Sequence, residues 1–112
     1  MPKVLNIKKI GLQAAREMIT SGQAVYVGSG GDFLRYGAWP QSKWANEFVI
    51  GPDGSRDEVI AKYRAWIVQQ PELMAALPEL RGKDLLCWCA PERCHGDVLL
   101  GLALGLRFHK TL

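Results

Sequence analysis

The sequence predicts a small layered α/β domain of Rossmann-like build, with a short, mostly parallel sheet flanked by helices. Three observations carry this. Short apolar runs rich in β-formers (4–7, 24–27 and 85–89) alternate with stretches of helical period, the pattern that leads to parallel pairing in layered folds. The run Leu85 to Cys89 is apolar nearly throughout, as a strand covered on both faces requires. The chain has 112 residues, 48% of them hydrophobic, enough for one domain with a real core.

Taken in order, Val4, Leu5 and Ile7 predict a first strand. Leu12 to Thr20 reads as a helix with Ala14, Ala15, Met18 and Ile19 as its apolar stripe, closed by Gly22 at a C-cap position. Ala24 to Val27 is a second strand running into Gly28-Ser29-Gly30-Gly31. From Asp32 to Asn46 no period is visible, which predicts a long ordered loop. Glu47 to Ile50 reads as a short strand, closed by the turn Gly51-Pro52-Asp53-Gly54. Ser55 and Glu58 form a capping box for the clearest helix, about 55–69, whose face carries Val59, Ile60, Tyr63, Trp66 and Ile67. Pro71 opens a short helix with Leu73, Met74 and Leu77. After the strand Leu85 to Cys89, a turn at 90–93 leads into a last helix from about Cys94, apolar nearly all round. Residues 1–112 read as one domain, without repeats or linkers.

The net charge is +3 and the basic residues form no single run. Lys8, Lys9 and Arg16 lie early, while Arg107, His109 and Lys110 close the chain. An anionic ligand is tolerated, but a nucleic-acid surface is not indicated. The three cysteines all fall between 87 and 94. That odd, clustered count does not fit a disulfide framework and predicts reduced thiols in a cytoplasmic setting. The run from Val98 to Leu106, about nine residues, is far short of the ~20 needed to span a bilayer.

The segment that carries chemistry is Cys87-Trp88-Cys89-Ala90-Pro91-Glu92-Arg93-Cys94-His95-Gly96-Asp97. Cys87 and Cys89 share a strand face. Cys94 and His95 stand at a helix start, where the positive helix end lowers a thiol pKa and attracts anions. Arg93 adds positive charge. Three uses compete. In a nucleophilic site, Cys94 attacks, His95 is the base and Asp97 orients it. In a metal site, three thiols and an imidazole supply the ligands, but their spacing fits neither paired knuckles nor a Cys-x-x-Cys with His-x-x-x-His; no metal or cofactor is expected. In a packing role, the cysteines simply fill the core. Gly28 to Gly31 offers backbone amides to a phosphate without matching the dinucleotide fingerprint. The loop with Arg35, Lys43, Trp39 and Trp44 suits either base stacking or core packing.

Several stretches together resemble one family. They are Tyr26-Val27-Gly28, Ser42 to Gly51 with Lys43-Trp44-Ala45-Asn46, Asp53-Gly54-Ser55-Arg56, Tyr63-Arg64-Ala65-Trp66, Leu80-Arg81-Gly82-Lys83, and Cys87-Trp88-Cys89-Ala90-Pro91 with Cys94-His95-Gly96-Asp97. They resemble the domain of unknown function 4326 over about residues 24–104. The resemblance implies a small α/β domain of bacteria and their phages, with no established reaction. Two departures stand out. Ala45 and Glu47 replace the family's Gly and Pro around Asn46, and 29–41 is an insertion.

The combined expectation is a domain that binds a nucleotide-like or other small anionic ligand. Gly28, Lys43, Trp44, Asn46, Cys89 and Arg93 would hold the ligand, and Cys94, His95 and Asp97 would act on it if the protein is an enzyme. The alternative is a metal-stapled or purely structural module that binds a protein partner. No membrane association is expected.

Overall fold

The computed structural model describes residues 2–111, with side chains described through residue 105. The side chains of Leu106, Arg107, His109 and Lys110, named above, lie outside that range.

Three strands form a parallel sheet in the order β1-β5-β2: β1 Val4–Asn6, β2 Ala24–Tyr26 and β5 Asp84–Cys87. In register, Val4 and Val25 flank Leu85, while Leu5 and Tyr26 flank Leu86. Parallel partners share a face, so the sheet separates its side chains into two cores. Leu85 and Cys87 point into one, with Val27, Tyr63, Ile67, Leu77, Leu80, Val98 and Leu99. Leu86 points into the other, with Ile7, Ala15, Ala24, Tyr26 and Trp39. Leu85, Leu86 and Cys87 are all buried, which explains the unbroken apolar run of the central strand.

The helices supply the outer layers. On the Leu86 side lie α1 Ile7–Ile10 and α2 Leu12–Thr20. On the Leu85 side lie α3 Arg56–Ile67 and α5 His95–Thr111, with α4 Pro71–Ala76 and the 3₁₀ turn Leu77–Leu80 between them in sequence. The result is the expected α/β layering. Helix α3 keeps both halves of its capping box. The Ser55 N–H donates to Glu58 Oε1 at 2.9 Å and the Glu58 N–H to Ser55 Oγ at 3.3 Å. Val59, Tyr63 and Ile67 are its buried residues, and Trp66 packs at the rim, half-buried.

Two segments differ from expectation. Glu47–Ile50 is not a strand. The Val49 N–H is taken by Asp53 Oδ2 at 2.7 Å, and Gly51 bridges Gly54 instead, so local turn bonds use the groups a ladder would need. The stretch 32–46 is not a loop throughout. It forms a hairpin of β3 Gly31–Asp32 and β4 Ala38–Trp39 around the 3₁₀ turn Leu34–Tyr36. Strands of two residues are too short to show a period in sequence; aromatic packing described below holds them. Among the described residues, no helix is long and apolar enough to cross a membrane.

Candidate functional site

Because all three sheet strands are parallel, their carboxyl ends share one edge, where ligands of open α/β sheets bind. A cleft of about 330 Å³ opens there. Gly28 and Ser29 reach it from the end of β2, Cys87, Trp88 and Cys89 from the end of β5, and Cys94 and His95 from the start of α5. Phe33, Phe48, Ile50, Val59 and Ile60 add apolar walls, and Lys8, Arg56 and Arg93 add positive charge. A wider groove of about 430 Å³ along α2 is lined by that helix and its end alone, and it gathers no comparable set of groups.

Asn6 ties the rim together. Its Nδ2 donates to the carbonyls of Trp88, at 3.2 Å, and Ala90, at 2.9 Å. Arg56 binds the same loop from α3, with one guanidinium nitrogen 2.9 Å from the Arg93 carbonyl and another 2.9 Å from Glu92. Arg93 pairs with Asp57. Gly28 is a glycine because Tyr26 lies over it: a Cβ there would stand 2.6 Å from the Tyr26 hydroxyl.

The three thiols are free. The Cys94 thiol donates to Cys87 Sγ at 3.8 Å, and Cys87 Sγ also accepts the Cys89 N–H at 3.4 Å. Cys87 and Cys94 are buried, whereas Cys89 is exposed. Hydrogen bonds from Cys94 and then from the Cys89 and Ala90 amides lower the Cys87 pKa to about 7 against burial. The Cys94 hydrogen bond, helped by the neighbouring Arg56 guanidinium, lowers Cys89 to about 6. Cys94, whose thiol donates to Cys87 and is buried, is pushed up. A thiolate on Cys89 opposes a second one on Cys87.

Of the residues expected from sequence, Gly28, Asn46, Cys89, Arg93, Cys94 and His95 line the cleft together. Lys43 and Trp44 do not. Trp44 is 2% exposed in the core, and Lys43 pairs with Glu79 at 2.9 Å on the surface. The expected relay through Cys94, His95 and Asp97 is not the observed geometry. Asp97 Oδ2 accepts the Cys94 backbone N–H at 3.0 Å as a helix cap, and His95 Nε2 lies 2.6 Å from the Val27 carbonyl. Arg56, Phe33, Phe48 and Trp88 were missed. The capping box hid Arg56, which sits beside it, and the aromatic residues carry no periodic signal. Among the described residues, no group of three or more His, Cys, Asp or Glu side chains is arranged to hold a metal ion.

His95 yields a pH prediction. A carbonyl only accepts, so Nε2 carries the proton, and burial holds the imidazole below its ordinary 6.5. As pH falls through 6.5 the unfolded chain takes up a proton that the folded chain resists, so stability falls below that pH. We expect His95→Gln, which keeps an N–H donor, to flatten the decline in urea midpoint between about pH 7 and 5. An unchanged slope would assign the acid sensitivity to other groups.

Fold and site define a class: a small α/β domain with a parallel sheet and a thiol-bearing cleft at the sheet's carboxyl edge. Within that class the chain belongs to the family described as domain of unknown function DUF4326, whose pattern matches residues 10–105. An uncharacterized protein of Acanthamoeba polyphaga mimivirus, R718, is 40% identical over 76 residues, covering 59% of this chain and 58% of that protein. The chain therefore spans less than two thirds of this relative, which is viral but comes from neither a bacterium nor a phage. No solved structure matches the chain significantly.

Proposed function

We propose that the domain binds a small anionic ligand of nucleotide-like build in this cleft. The observation that supports it is the convergence, on one space of about 330 Å³, of apolar and aromatic walls with the cations Lys8, Arg56 and Arg93. Ligand sites commonly combine such walls with a few placed polar groups, within about 300–1,000 Å³. Phe33, Phe48 and Trp88 offer faces for a planar ring. The anionic end belongs with the arginines rather than the α5 start, because Asp97 already occupies the Cys94 amide. An anion would displace Glu92 from Arg56 and gain a forked donor in its place.

Calorimetric titration with a nucleoside monophosphate, the nucleoside alone and inorganic phosphate tests this. The monophosphate should bind more tightly than either part. Arg56→Ala should weaken it about tenfold or more, the loss expected for one charge-assisted hydrogen bond of about 1.5–3 kcal/mol. Arg93→Ala serves as a second variant if Arg56→Ala disturbs the loop. Absence of heat with all three probes, or equal affinity in both variants, would remove the reading.

A further inference from the structure

His95 presents the cleft with an acceptor that the fold leaves unpaired. It lines the cleft and is 9% exposed. Nε2 lies 2.6 Å from the Val27 carbonyl, which only accepts, so Nε2 carries the proton and Nδ1 keeps its lone pair. The Tyr63 ring meets the imidazole edge-on, at 5.0 Å and 67°. The end of β2 and helix α3 thus fix both the tautomer and the ring plane, which aims the second nitrogen. Among the described residues no hydrogen bond reaches Nδ1, and it is not one of the buried side-chain atoms without a partner. It therefore opens on the cleft. Other polar groups of the wall are committed within the fold. Asn46 Oδ1 accepts the Phe48 N–H at 2.9 Å, and its Nδ2 donates to the Val59 carbonyl at 3.5 Å. The Trp88 Nε1–H donates to the Tyr26 hydroxyl, and the Cys94 thiol to Cys87.

Position along α3 separates two ends of the cleft. Arg56, assigned above to the anion, lies seven residues before Tyr63, about 10 Å along the helix axis. Val59 and Ile60, between them in sequence, line the cleft. A ligand whose phosphate meets Arg56 therefore extends its ring over an apolar wall toward His95. Burial holds the imidazole below its ordinary 6.5, so at neutral pH Nδ1 accepts and does not donate.

We propose that His95 Nδ1 reads the ring of the bound nucleotide by accepting a hydrogen bond from a ring N–H. The ligand class is then a 6-oxopurine nucleotide, or a similar heterocycle with an N–H edge, rather than one that offers only lone pairs there. The assignment rests on the nucleotide reading and adds the identity of the ring. In the free protein, water can donate to Nδ1. A ring N–H replaces that bond, whereas a ring lone pair displaces the water and leaves Nδ1 unpaired. A sugar hydroxyl, which donates or accepts by turning, gives no such discrimination.

The test is calorimetric titration of the full chain at neutral pH with two nucleotides of identical sugar and phosphate. Inosine 5′-monophosphate carries the ring N–H, and purine riboside 5′-monophosphate lacks it. The inosine form should bind about tenfold or more tightly than the other. His95→Phe, which keeps a ring beside Tyr63 but removes the acceptor, should bring the two affinities together. Nitrogen-15 spectra of the wild-type imidazole give a second measurement if that variant fails to fold. Nδ1 should be proton-free in the free protein, and its signal should move with inosine monophosphate but not with inorganic phosphate. Equal affinity of the two nucleotides for the wild-type chain, a preference that survives in His95→Phe, or a proton on Nδ1 in the free protein would each overturn the assignment and leave the nucleotide reading in place. Absence of binding by both nucleotides would remove the two together.

Discussion

Trp44→Ala should lower the folding free energy by about 3–5 kcal/mol, the cost of deleting a fully buried large aromatic side chain. Trp44 is 2% exposed and packs with Val27, Tyr63 and Ala90 in the core on the Leu85 side of the sheet. Its backbone is fixed as well, since the Tyr63 hydroxyl donates to the Trp44 carbonyl at 2.6 Å and the Trp44 N–H donates to Ser42 Oγ at 3.0 Å. That bond joins α3 to the segment before it, so a cavity at Trp44 also loosens the partner of a buried phenol. Against a typical total of about 5–15 kcal/mol, the loss is a large share. Urea unfolding should show a lower midpoint with an unchanged slope. If stability stays within about 0.5 kcal/mol of wild type while ligand affinity collapses, Trp44 is a stacking group rather than a core plug.

The same residue shows why parts of the site were not legible in the sequence. A tryptophan beside a lysine in a stretch without period fits a base-stacking loop and a core plug equally well. Burial alone separates them, and burial is a tertiary property. Helix α3 was legible because its signals are local. Ser55 and Glu58 close a capping box, and Val59, Tyr63 and Ile67 recur at four-residue steps. Trp66 lies three residues after Tyr63 and so falls at the edge of that stripe, half-buried. The central strand was legible because burial on both faces removes alternation. The cleft was legible in outline too, because a parallel sheet places the Gly28 loop, Cys89 and Cys94 at one edge. The roles within the cysteine cluster were not legible. Adjacency of Cys94, His95 and Asp97 suggests a relay, but a helix cap turns Asp97 back onto the Cys94 amide and sends His95 toward Val27. Arg56, which reaches the same loop through the Arg93 carbonyl and Glu92, lies far earlier in the chain, and no local pattern connects the two.

Trp88→Ala should both destabilise the protein and release the hairpin of β3 and β4. The Trp88 ring is the hub of the aromatic cluster on the Leu86 side of the sheet. Phe33 stacks on it at 4.6 Å, Tyr36 and Trp39 meet it edge-on at 5.7 and 5.9 Å, and its Nε1–H donates to the Tyr26 hydroxyl at 2.7 Å. Each aromatic pair contributes about 0.5–1.5 kcal/mol beyond its buried area. The ring is only half-buried, so the loss should fall at about 2–3 kcal/mol, below the range for a fully buried tryptophan. The hairpin has two residues per strand, too few to hold without that packing. Amide exchange at Gly31 and Trp39 should therefore quicken more than exchange in β5, whose Leu85 and Leu86 are fully buried. Phe33 and Trp88 both line the cleft, so ligand affinity should fall along with hairpin protection. Trp88→Phe should restore much of the stacking and the protection, but not the bond to Tyr26. Equal protection at Gly31 and Trp39 in wild type and Trp88→Ala would show that the hairpin is held by its own turn, Phe33 to Gly37, rather than by the aromatic hub.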